Sequence, residues 1–136
     1  MNNYKLAYIK NGEIHQNQYV LNEEKMKSDW NILLKSKLPI IKIEQQENLE
    51  FHFVESRGDF VEWHKVPVEK WYKELRESVE ETIAKDNSYL GCKLLYNDKH
   101  RLYQVIHTYL HESGMKLEET ILMDTYHHTI KWIKFD

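Results

Sequence analysis

The sequence predicts an α+β domain: an antiparallel β-sheet of about five to seven strands, built from an N-terminal hairpin and a meander, with two main helices packed on one face. Three observations carry this expectation. Apolar residues alternate with polar ones through much of the chain up to Val66 and again near the C-terminus. Two segments switch to helical spacing instead. The stretches between successive strand-like segments are too short for parallel crossovers, which favours antiparallel pairing.

The first element is a hairpin over residues 4–21. Tyr4, Leu6 and Tyr8 alternate on one face, and Asn11-Gly12 supplies the two positive-φ positions of a type I′ turn. The return arm is less regular, because His15 to Gln18 carries no apolar residue, and a bulge is expected there. Asn22 then stands as a helix cap, with Glu23 and Glu24 suited to the positive helix end. Met26, Trp30, Leu33 and Leu34 follow at helical spacing, and Pro39 stops the helix near Lys37.

Strands are expected over residues 39–46, 49–55 and 60–66, as successive arms of the meander. Pro67 fits the first position of a second helix, reaching Asp86, whose stripe contains Val68, Trp71, Tyr72, Leu75, Val79 and Ile83. Residues 89–96 read as a further strand. Residues 98–114 admit two readings: a helix capped by Asp98 and stopped at Gly114, or a strand rich in Tyr, Val, Ile and Thr. The strand is favoured, because it extends the meander through an Asn97-Asp98 turn. Residues 115–136 should add one or two more strands. No linker or repeat divides the chain, so residues 1–136 form one domain, as suits 136 residues against a typical domain of roughly 100–200.

Composition narrows the function. Lys and Arg number 19 against 22 Asp and Glu, a net charge of −3, which disfavours nucleic acid as a partner. Cys92 is the single cysteine, so no internal disulfide forms and a reducing, cytoplasmic setting is expected. No apolar run is long enough to span a bilayer, so no membrane partner is expected.

Eight histidines are the compositional oddity. His107 and His111, four residues apart, share a face in either secondary structure and are the candidate metal ligands, with His127 and His128 as further donors. The Arg101 to His107 spacing resembles the short signature of the HEPN ribonucleases, but that resemblance implies an all-helical domain, at odds with the strand pattern that runs up to Val66. His127-His128-Thr129 resembles one half of the paired triplet of two-histidine phosphoesterases, and the second half is missing. Cys92 sits in an apolar segment and reads as a small hydrophobe. No glycine-rich phosphate loop and no Gly-x-Ser-x-Gly elbow occur.

Seventeen aromatic residues, 4 Trp, 9 Tyr and 4 Phe, are the other resource. Trp63, Tyr103 and Tyr109 are the interaction candidates, because a sheet covered on one face only would leave rings on the other. The expectation is therefore a small cytoplasmic protein-binding module of the inhibitor, immunity, antitoxin-like or phage anti-host kind. It needs no cofactor, leans away from enzymatic activity, and is also compatible with a homodimer. The alternative is a histidine- or metal-dependent phosphodiesterase or nuclease using His107, His111, His127 and His128.

Overall fold

A computed structural model describes residues 2–47, 49–58, 60, 62–66, 77, 81 and 88–135 of the chain. Among them run nine strands and one helix: β1 (Tyr4–Lys10), β2 (Glu13–Tyr19), α1 (Glu23–Ser36), β3 (Ile40–Gln45), β4 (Phe51–Arg57), β5 (Trp63–Lys65), β6 (Tyr89–Asn97), β7 (Leu102–Leu110), β8 (Lys116–Asp124) and β9 (Thr129–Phe135). All nine strands belong to one sheet, in the order β2-β1-β3-β4-β9-β8-β7-β6-β5. Every neighbouring pair is antiparallel except β4 and β9, which are parallel.

This corrects the expected fold class. Among the described residues the protein is mostly sheet, mixed rather than antiparallel, with a single short helical element, and not an α+β domain with two main helices on a sheet. The second expected helix, 67–86, lies outside the described residues apart from Glu77 and Glu81, both of which are helical. The meander fails at one point. The third arm contributes only the short β5, and β5 pairs with β6 rather than returning along β4. The place beside β4 goes to β9, through the single bridge His52↔Ile133.

Locally, the elements form for the reasons the residues suggest. Asn11 and Gly12 both adopt positive φ, 53° and 73°, and close the β1–β2 hairpin. Its return arm pairs without a bulge from Glu13 to Tyr19, helped at its irregular stretch by His15 stacking on Tyr8 at 4.9 Å. The Asn22 side chain accepts from the Lys25 N–H and caps α1. Strands β2 and β3 flank β1 and are both antiparallel to it, hence parallel to each other, so the chain must cross β1 between them. The α1 helix makes that crossing, burying Met26 and Trp30 against Tyr4, Leu6, Tyr19 and Ile40. The two readings of residues 98–114 resolve to strand β7, the favoured one, and Gly114 turns the chain into β8 at φ 86°.

The sheet is strongly curled. Strands β1 and β7 stand five places apart, which would separate them by about 24 Å in a flat sheet. Ala7 and Ile9 of β1 nevertheless share one buried cluster with Leu102 of β7, Leu122 of β8 and Trp132 of β9. A latch of polar groups holds the curl. In a two-residue hairpin the pair next to the turn is hydrogen-bonded, so the next pair, Ile9 and Ile14, turns its N–H groups outward. Ile9 donates to the Pro39 carbonyl at 3.0 Å, and Ile14 donates to the Asp124 carboxylate at 2.8 Å, from the far half of the sheet. Gln16 Nε2 adds a bond to the Thr129 carbonyl at 2.9 Å, and Arg101 donates to the Asn11 carbonyl at 3.1 Å. The outer edge of β2 is thus occupied where an open strand would invite pairing with another chain.

Candidate binding site

Register assigns the two faces of the sheet. Ala7, Ile41, Phe53, Trp132, Thr120, Ile106 and Trp63 fall on the inner face of the curl, and α1 packs on the outer face. Among the described residues the inner face is not completely filled. A cavity of about 230 Å³ opens between its two halves. Its apolar wall is Ile41, Phe53, Phe60, Trp63, Ile106, Leu122 and Trp132, and its polar groups are Ser56, Gln104, Glu118, Thr120 and Lys134. Phe53 and Trp132 lie 6.1 Å apart, and the Lys134 ammonium sits 5.2 Å from the Phe53 ring centre, within cation–π range. Trp132 is 8% exposed and forms the floor, whereas Phe53, Phe60 and Trp63 remain half-buried at the mouth.

The three ring candidates therefore separate. Trp63 lines the pocket. Tyr103 and Tyr109 lie on the outer face, where Tyr103 packs on Tyr96 at 4.7 Å and Tyr109 meets Tyr89 edge-on at 5.4 Å. Pairing explains the split, because Tyr96 stands opposite both Tyr103 and His64, and His64 is the neighbour of Trp63 with its side chain on the other face.

The histidines do not converge either. On a strand, four residues span about 13 Å, so His107 and His111 share a face yet cannot share an ion held at about 2 Å by each. His127 and His128 lie in the turn after β8, and His111 in the turn before it, opposite ends of one strand. Among the described residues no three His, Cys, Asp or Glu side chains gather as a metal site.

His107, His111 and His128 have local partners instead. His107 is 1% exposed on the outer face. It stands between Cys92 and Glu119 on the flanking strands, with the Tyr89 hydroxyl 3.2 Å from its Nδ1. Burial holds its pKa below the ordinary value, against Glu119, which raises it, and with Lys131, which lowers it further. His111 packs edge-on to Phe135 at 5.1 Å. His128 Nδ1 lies 2.9 Å from Asp124 and belongs to the latch.

The pocket's other walls were not legible as one site. Phe53, Trp132 and Ile106 come from three different strands: the β4–β9 bridge brings Phe53 beside Trp132, and Thr120 of β8 links Trp132 to Ile106. Comparison with protein-family models, with curated proteins and with solved structures finds no match for the chain. No helix among the described residues is long and apolar enough to cross a membrane.

Proposed function

We infer that this chain is a cytoplasmic protein-binding module whose inner-face pocket receives an apolar or aromatic anchor side chain from a protein partner. The observation that carries this reading is the cavity of about 230 Å³ walled by Phe53, Phe60, Trp63 and Trp132. Its size selects the class of occupant. An apolar cavity of roughly 150 Å³ accepts benzene, whereas pockets for drug-sized ligands run from about 300 to 1,000 Å³. A volume between these suits one ring-bearing side chain. Buried aromatic anchors seated in pockets with polar rims dominate protein–protein binding energy, and Ser56, Gln104 and Lys134 supply such a rim.

The test is a titration with N-acetyl-tryptophanamide, followed by methyl NMR. Signals from Ile41, Ile106 and Leu122 should shift, while those of Leu6 and Ile40 under α1 stay in place. An Ile106→Trp variant, which fills the cavity, should abolish the shifts. Equal shifts on both faces, or none at the pocket methyls at millimolar ligand, would overturn the reading.

A further inference from the structure

We propose that the segment received by this pocket is acidic, with Asp or Glu residues on both sides of its apolar anchor. The proposal rests on the reading of the pocket as a protein-binding site and adds the chemistry of the partner.

The argument is an asymmetry of charge between the two faces of one sheet. Register places Lys5 of β1, Lys65 of β5, Lys93 of β6, Lys116 of β8 and Lys134 of β9 on the inner face, opposite or beside Ile43, Leu95, Ile106, Leu110 and Glu118. The strand carboxylates on that face are Glu118 and Asp124, and Asp124 is consumed by the latch. None of the five lysines makes an ion pair with a described residue. Lys5 and Lys134 lie over rings instead, Lys5 at 4.6 Å from the Phe51 centre and Lys134 at 5.2 Å from Phe53.

On the outer face three of the four strand cations are paired, Lys10 being the exception. Lys42 pairs with Glu55 at 3.1 Å, Lys131 with Glu119 at 3.1 Å, and Arg57 with Glu55 at 3.5 Å. Among the described strand residues, a chain of net charge −3 thus gathers five lysines without ion pairs on the face that holds its pocket. Like charges gathered on one face repel one another, and an anionic partner relieves that cost while being steered to the site. The lysines flank the cavity from both directions, Lys5 from the β1 side and Lys65 and Lys93 from the β5–β6 side. That placement matches acidic residues before and after the anchor.

A peptide fits better than single-stranded nucleic acid. Arg57 and Arg101, the arginines among the described residues, both lie off the inner face. The rings line a recess rather than an open platform on which successive bases could stack.

The experiment measures affinity of the full chain for three capped peptides of equal length, each centred on one tryptophan and flanked by Glu and Asp, by Ser and Gly, or by Lys, together with a thymidine oligonucleotide. At low salt the acidic peptide should bind at least about tenfold tighter than the neutral one, and the gap should shrink several-fold near 0.3 M NaCl as screening shortens the reach of the lysines. A Lys65→Glu/Lys93→Glu double variant, at two exposed lysines outside the pocket lining, should lose the gap, keep its affinity for the neutral peptide and keep its Tm. Equal affinities for acidic and neutral peptides would overturn this proposal and leave the pocket reading standing. Tighter binding of the oligonucleotide than of the acidic peptide would overturn it in favour of nucleic acid. Failure of all three peptides to bind would overturn the pocket reading itself, and this proposal with it.

Discussion

Asp124 shows how much one side chain carries. Its carboxylate is fully buried and accepts from the N–H groups of Ile14, Tyr126 and His128, with the His128 ring 2.9 Å away. Three of those partners shape the β8–β9 turn, and Ile14 brings in the distant hairpin. Burial pushes the carboxyl pKa up, and the hydrogen bonds more than offset this, holding it below the ordinary value of 3.8. A group whose pKa is depressed by folding is protonated first in the unfolded chain as pH falls. Its contribution to stability is therefore complete above about pH 5 and is lost as pH drops through the ordinary carboxylate range toward the folded value. Asp124→Asn should cost about 2 kcal/mol at neutral pH, the scale of hydrogen bonds to a charged acceptor. It should also flatten the decline in stability between about pH 5 and pH 3. Urea unfolding at several pH values checks both. An unchanged acid slope would show that the carboxylate does not bear the latch.

Elements differ in how plainly they were written. The β1–β2 hairpin was legible because Asn11-Gly12 fixes the turn, and α1 because Asn22, Glu23 and Pro39 mark its ends within a few residues. Signals of that kind are local. The β4–β9 pairing has none, since His52 in the first half of the chain meets Ile133 near its end, and leaves no pattern that neighbouring residues could reveal. The site was half legible for the same reason. Tyr103 and Tyr109 stand an even number of positions apart on one strand and so share a face with each other, but which face curls inward depends on pairings far along the chain. Turns give a sharper test than strands. Gly58 has φ 89°, and a Cβ there would stand 2.5 Å from the Leu38 carbonyl oxygen. Gly12 has φ 73°, but the group its Cβ would meet is the Arg101 guanidinium, at 2.8 Å. Backbone cannot step aside, whereas a long side chain can. Gly58→Ala should lower stability by about 2–4 kcal/mol and Gly12→Ala by about 1–2 kcal/mol, as thermal unfolding would measure. The reverse order would mean that the Arg101–Asn11 bond matters more to the curl than the β4 turn.

For the molecule as a whole, curling converts a single sheet into two unlike surfaces. The outer one is clad by α1 over its N-terminal half and pairs Lys42, Arg57 and Lys131 with carboxylates. The inner one, among the described residues, is ring-lined and partly open, and its strand lysines outnumber its strand carboxylates. This division is what the binding account depends on, because it supplies recess, rim and electrostatic bias on the same face. The most direct test installs the photoreactive residue p-benzoylphenylalanine at Ser56 beside the pocket, and separately at Ile32 on the exposed side of α1, and irradiates the cells that make the protein. The account predicts one discrete protein adduct from position 56 that is missing from position 32 and disappears in the Ile106→Trp background. The same adducts from both positions, or adducts at position 56 that survive filling of the cavity, would contradict it.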